Sequence, residues 1–240
     1  MSNTFDRHTI HRFDEELHAL HFQVAEMGEL VSNQLCLALE ALKKRDLTLA
    51  QGIIDREKVV DNMEVAADTV VCGLLARRCP KGGDLRAVIA ASKIVNNLER
   101  IGDEAVKVAN FVIYMQSKDG MDGDCFPLDD IYHLGGVSIG IVQSALEVFE
   151  RLDVELLPKV SEHLKTLDNE FQNCLHHLMK FIQSGSPNLD NAVSQVLMMK
   201  AIVRIGDHAS RIAELVAYQI EGEEPQHGAP DLARDFPLSK

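Results

Sequence analysis

Tryptophan is absent from this chain of 240 residues, and aromatic residues make up only 5% of it. With 46% apolar residues, the composition is aliphatic-rich, which suits packed helices better than sandwiches or barrels. Cysteine is scarce and scattered. Cys36, Cys72, Cys79, Cys125 and Cys174 are odd in number and form no C-x-x-C, so structural zinc and a disulfide framework are not expected. Long apolar runs are missing: nothing approaches the roughly 20 residues of a membrane span. The start, MSNTFDRHTIHRF, carries neither an apolar stretch nor a cleavage signal, and the expected compartment is the cytoplasm. Positive charge is short as well, with 24 Lys and Arg against 37 Asp and Glu and a net charge of −13. Nucleic acid and anionic membrane surfaces need a basic face, so neither is expected as a direct partner. Cations and basic protein surfaces suit the charge better.

What the chain does have is an internal repeat. Arg100-Ile101-Gly102-Asp103 returns letter for letter as Arg204-Ile205-Gly206-Asp207. Earlier in each half, Met27-Gly28 matches Leu134-Gly135, Ala38-Leu39-Glu40 matches Ala145-Leu146-Glu147, Asp46 matches Asp153, and Asp61-Asn62 matches Asp168-Asn169, all 107 apart. After a shorter connection the spacing becomes 104, and Ala109 and Tyr114 match Ala213 and Tyr218. A period of this size means one unit built twice, so each half serves as a control for the other.

Helical periodicity fills both units. Phe13, Leu17, Leu20, Val24, Met27 and Val31 step by four and three along a first helix. A second is expected over Leu47 to Leu75, with Val60, Met63, Ala67, Val70 and Leu74 on one stripe. Cys79-Pro80-Lys81-Gly82-Gly83 breaks it, and Asp84 is the expected N-cap of a third. That third helix carries Ile94, Leu98, Ile101, Ala105, Val108, Val112 and Met115. The second half predicts helices over Leu134 to Phe149, Leu156 to Gln183 and Leu189 to Glu221. The expectation is an all-α protein of two pseudo-symmetric three-helix bundles. Residues 1–117 make the first, 118–130 a linker, 131–221 the second and 222–240 a flexible tail.

Glu57, Asp61, Glu64 and Asp68 form one acidic stripe on the second helix, and Glu99 and Asp103 do the same on the third. Like charges at i,i+4 repel, unless water screens them or a cation sits between them. Side-by-side packing of the two helices would bring Glu57, Asp61, Glu99 and Asp103 together, a hard oxygen site for a divalent or trivalent metal. Acidic residues on an exposed helix face are otherwise simply solvated. In the second half Leu164, Phe171, Leu175 and Val203 stand where Glu57, Glu64, Asp68 and Glu99 stood, leaving Asp168 and Asp207, which with His208 are expected to hold a metal only weakly. That face is either core, if the helix is rotated, or an exposed apolar patch for a partner. In the doubled motif the isoleucine is a seam position. Gly102 and Gly206 allow close helix approach, and Arg100 and Arg204 with the aspartates can pair across helices.

Leu98-Glu99-Arg100-Ile101-Gly102-Asp103, with Asp84-Leu85-Arg86 before it and Arg204-Ile205-Gly206-Asp207-His208 in the second half, closely resembles the PhoU family of bacterial phosphate-uptake regulators. The resemblance covers residues 10 to 221. It implies two three-helix bundles, a regulatory role without catalytic residues, and metal clusters on paired Glu/Asp-x-x-x-Asp motifs at the bundle surface. The metal is iron, zinc, manganese or magnesium. The motifs map onto Glu57-xxx-Asp61 and Glu99-xxx-Asp103, and are broken at Leu164 and Val203, as in a divergent paralogue. The implied partners are the ATPase subunit of the phosphate ABC transporter and the sensor histidine kinase of phosphate starvation. Repression of phosphate uptake, homodimers and membrane contact only through partners are also implied.

Two other readings compete. One is a metal-free helical interaction module. The other is a carboxylate-bridged di-metal oxidase, for which Glu15-x-x-His18 is half of the required signature. His18 and His21 share a face with Asp14, near His8 and His11. No nucleophile elbow, P-loop or dinucleotide fingerprint is present.

Overall fold

The computed structural model describes residues 4–117, 128–185 and 189–222. The apolar stripes become six long helices: α1 Thr4–Lys44, α2 Leu47–Arg78, α3 Gly83–Ser117, α4 Asp129–Arg151, α5 Leu157–Ser184 and α6 Leu189–Glu221. One 3-10 turn, Val154–Leu156, precedes α5, and no strand occurs among the described residues. The expected all-α architecture of two three-helix bundles is present. The expected tail lies beyond the described residues, as does the linker between 118 and 127. Asp129 and Asp130 form the first turn of α4, which starts ahead of the expected Leu134. Asp84 lies inside the first turn of α3 and not at its cap. In both helices the acids face the positive end of the helix dipole. None of the described helices is long and apolar enough to cross a membrane.

Within each half the three helices pack on one another. Between halves, α3 packs along α6 and α1 against α4, while α2 and α5 touch no helix of the other half. The result is a central layer of α1, α3, α4 and α6, with α2 and α5 outside it. The buried side chains form one continuous core, in which Val24, Leu35, Ile94, Ile101, Ile141 and Ile205 are all at most 1% exposed. The outer position of α2 leaves only six of its 32 residues buried, which is why an acidic stripe on it can stay in water.

The matched pairs of the repeat mark where the halves meet or turn. Gly28 accepts Leu146, and Gly135 accepts Leu39 in the mirrored contact. An added Cβ would stand 2.5 Å from a Leu146 methyl and 2.6 Å from a Leu39 methyl. The two α1–α4 contacts are thus exchanged by a pseudo-twofold axis. The turns repeat too. Arg45 and Leu152 are left-handed (φ 53° and 49°), closing α1 and α4. The following N–H groups of Asp46 and Asp153 donate to the carbonyls of Ala41 and Val148. The Asp46 carboxylate then accepts from Leu49 N–H at 3.0 Å, and that of Asp153 from Glu155 N–H at 3.0 Å. Each aspartate satisfies an orphan donor of the element that follows.

Candidate functional site

Two side-chain hydrogen bonds set the register of the antiparallel pair α2 and α3. Asn96 Nδ2 donates to Glu64 Oε1 at 3.3 Å, and Ser92 Oγ to Asp68 Oδ1 at 3.3 Å. Stepping on by three and then four residues in opposite directions puts Asp61 opposite Glu99 and Glu57 opposite Asp103. Val60 packs on Gly102 at the same level. The sequence-predicted acids therefore share one face, as a ladder of carboxylates along the outer α2–α3 seam.

Their ionisation reports the crowding. Glu99 is pushed up to about 6, first by desolvation, then by the charges of Asp103, Glu64 and Asp61. Glu57 is raised by desolvation and then by Asp103 and Asp61. Asp103 is raised by desolvation, with Lys107 and Arg100 opposing and Asp61 and Glu104 adding. Half-buried like charges on facing helices disfavour their own ionised forms. As the side chains stand, no group of three or more His, Cys, Asp or Glu among the described residues is gathered closely enough to hold a metal ion. The donor set suits a hard cation, but it is a ladder and not a closed cage.

The second half keeps the register and changes the chemistry. Leu167 presses onto Gly206, with Leu164 and Ile141 beside it. Lys200, at the Asn96 position, holds its Nζ 4.5 Å from the ring centroid of Phe171, at the Glu64 position. Phe171 and Val203 are 1% and 2% exposed. Leu164 and Leu175 are half-buried against the same core, so of the two expectations the face is packed and not an open patch. Asp207 is pushed up to about 6 by desolvation and then by Asp168, while Lys200 and Arg204 oppose. Asp168 is raised by desolvation, and Lys200 opposes. A tethered ammonium thus stands beside the two remaining aspartates.

Ile101 and Ile205 of the doubled motif are fully buried. Arg204 reaches Glu104 on α3 at 3.5 Å, and Lys107 reaches the same oxygen at 2.8 Å. Glu104 is 5% exposed, and its second oxygen has no hydrogen-bond partner. Arg100 donates along its own helix to Asn96 Oδ1 at 3.2 Å. His208 is the repeat partner of Glu104 and pairs through Nδ1 with Asn97 Oδ1 at 3.1 Å. Burial and then the Arg100 charge lower the basicity of His208. Glu104, Lys200 and Asn97 were not singled out by sequence reasoning, and His208, noted there beside Asp207, pairs with Asn97 instead. The mismatch of Glu104 with His208 directly after the shared Arg-Ile-Gly-Asp was the available signal.

Asp14, His18 and His21 line one cleft of about 410 Å³ with Glu150. His21 stacks on Phe149, with centroids 4.3 Å apart, and burial lowers its basicity. The side chains of His8 and His11 lie outside those described. Glu15 and His18 face solvent. Cys174 is buried and donates to the Asp130 carbonyl at 3.5 Å, and His177 pairs with the Asp130 carboxylate at 2.7 Å.

A family model described as PhoU domain matches the chain twice, over residues 24–112 and 131–216. The phosphate-specific transport system accessory protein PhoU homolog of Pseudomonas putida is 33% identical over 220 residues, covering 92% of this chain and 85% of its own. The phosphate-specific transport system accessory protein PhoU of Escherichia coli K12 is 30% identical over 230 residues, with 96% and 94% covered. The crystal structure of PhoU from Pseudomonas aeruginosa superposes with a TM-score of 0.82 at 34% identity, covering 88% of this chain and all of that one.

Proposed function

Because this chain belongs to the PhoU family, we propose that it is a regulatory adaptor of phosphate homeostasis that works by binding and not by catalysis. The observation that carries the reading is the double match of the family model, one match within α1–α3 and one within α4–α6. The relatives named above as phosphate transport accessory proteins are matched over most of their length. In this reading the protein restrains phosphate uptake and starvation-gene expression when phosphate is ample. It does so by contact with the ATPase subunit of the phosphate ABC transporter and with the sensor histidine kinase. It reaches the membrane only through them, and acts as a homodimer.

Glu57, Asp61, Glu99 and Asp103 are the residues that would hold a cation such as iron, zinc, manganese or magnesium. Bound there, the cation would neutralise the carboxylate ladder and tie α2 to α3. Support comes from the α2–α3 register and from the raised affinity of Glu57, Glu99 and Asp103 for protons. Asp168 and Asp207 have Lys200 opposing their raised proton affinity and lack the two glutamate oxygens, whose positions hold Leu164 and Val203. The metal-free interaction module is the second reading, favoured by the open arrangement of the carboxylates. Deleting the gene should raise alkaline phosphatase expression in phosphate-rich medium, and supplying the intact gene should restore repression. An unchanged level after deletion sinks the regulatory reading.

A further inference from the structure

A groove of about 400 Å³ runs along the seam of α3 and α6, with Phe111, Tyr114 and Met198 in its lining. Leu197 lines it too and is 65% exposed, while Val193, one turn earlier on α6, is 51% exposed. Two open aliphatic side chains one turn apart are what a helical partner's apolar face would cover. The other end of the groove is basic. Lys107 and Arg204 line it and share one oxygen of the buried Glu104. Arg100, one turn before Glu104 on α3, bonds Asn96 on its own helix and acts with Lys107 and Arg204 on the nearby His208. Further along the seam come Lys93, over the Tyr218 ring, and Arg211, paired with Glu214. Five cations thus line the seam, two of them paired with Glu104 and one with Glu214, while Lys107 and Arg100 also act on Asp103, in a chain whose net charge is −13. Asp103 and Asp207 are turned the other way, toward Asp61 and Asp168.

The repeat supplies the control. Leu197 corresponds to Lys93, and Tyr114 to Tyr218. At the second copy the Lys93 ammonium lies 6.0 Å from the Tyr218 centroid, whereas the first copy has Leu197 in that place. Only one of the two equivalent positions is aliphatic and open.

We propose that the α3–α6 groove docks an acidic amphipathic segment of a partner protein. Its apolar side chains lie on Leu197, Phe111 and Tyr114, and its carboxylates meet Lys107, Arg204 and Arg100. The basic seam steers such a segment toward the groove. A small oxyanion would use the cations and have no need of Leu197. The inference uses none of the carboxylate ladder and does not rest on the phosphate reading.

The test is fluorescence anisotropy of the full chain with a labelled helical peptide. The peptide carries Leu and Phe one turn apart between Glu residues, and its twin has Lys in place of each Glu. The acidic peptide should bind roughly tenfold tighter than the twin and weaken roughly tenfold between low and high salt. Leu197→Ser, at an exposed position, and the Lys107→Glu/Arg204→Glu pair should each weaken it by a similar factor. Equal binding of the two peptides, or binding of neither, overturns the proposal. So does displacement of the probe by inorganic phosphate combined with indifference to Leu197→Ser, which assigns the cations to a small oxyanion instead. The Leu197→Ser and salt arms decide the matter even if the charge-reversed variant fails to fold.

Discussion

Gly102 and Gly206 occupy the same place in the two copies of Arg-Ile-Gly-Asp, yet alanine should act on them in opposite directions. At Gly206 a new Cβ would overlap Cδ2 of Leu167 and lie 3.2 Å from Cδ1 of Ile141. Both neighbours are 0% exposed, so the leucine has no empty space to swing into. Overpacking of this kind costs about 1–3 kcal/mol. Removing a mid-helix glycine returns up to ~1 kcal/mol of helix propensity. The net for Gly206→Ala is a loss of about 1 kcal/mol. At Gly102 the nearest atom is Cγ1 of Val60 at 3.4 Å, an ordinary contact on the outer seam. There the propensity gain dominates, and Gly102→Ala should stabilise by about 0.5 kcal/mol. For a chain of this size, a gap near 1.5 kcal/mol separates the two melting temperatures by about 3–6 °C. Thermal melts followed by circular dichroism decide it. Equal shifts, or a higher melting temperature for Gly206→Ala than for Gly102→Ala, would refute the packing account of the motif.

Three further expectations follow from the charges. The native Glu99 carboxyl, at about 6 against an ordinary 4.5, holds its proton more tightly than it does in the unfolded chain. Ionising it therefore costs native stability, a cost that sets in as pH rises from about 4.5 to about 6 and stays above it. Without metal, Glu99→Gln should melt above wild type at neutral pH, by about a few tenths of a kcal/mol, and match it near pH 4; a difference that ignores pH contradicts this. Lys200→Met should cost about 1 kcal/mol at alkaline pH and less at pH 5, where Asp207 carries a proton, so an equal loss at both would show that only the Phe171 contact matters. Burial, then Asp130 and Glu170, push the Cys174 thiol up to about 12, so mass spectrometry should find it unalkylated in the native protein while the exposed Cys72 and Cys79 are modified; native labelling of Cys174 would mean that α5 opens.

The apolar seams were legible in the sequence because burial follows the step of three and four. Every seam residue expected on α3, from Ile94 to Met115, is buried. The stripe of α2 was less so. Val60, Ala67 and Leu74 are buried, but Met63 and Val70 are only half-buried, because α2 lies outside the central layer. The matched glycines were visible as letters. That Gly28 answers Leu146 and Gly135 answers Leu39 is a fact about two helices crossing, which no single stretch encodes. Spacing placed Glu57 with Asp61 and Glu99 with Asp103. It could not fix how far α2 slides along α3, which the Asn96–Glu64 and Ser92–Asp68 bonds express. Asp103 and Glu104 are neighbours about 100° apart on one helix, so one faces α2 and the other α6. Sequence alone gave no reason to assign them to different surfaces.

The central claim is that the first half alone keeps a cation site, while Lys200 serves the second. Elemental analysis of protein purified without chelator tests it directly, on the wild type, Glu99→Ala/Asp103→Ala and Asp168→Ala/Asp207→Ala. The account predicts metal bound to the wild type, lost from the first double variant and kept by the second. Equal metal content in all three, or loss confined to the Asp168/Asp207 variant, would contradict it.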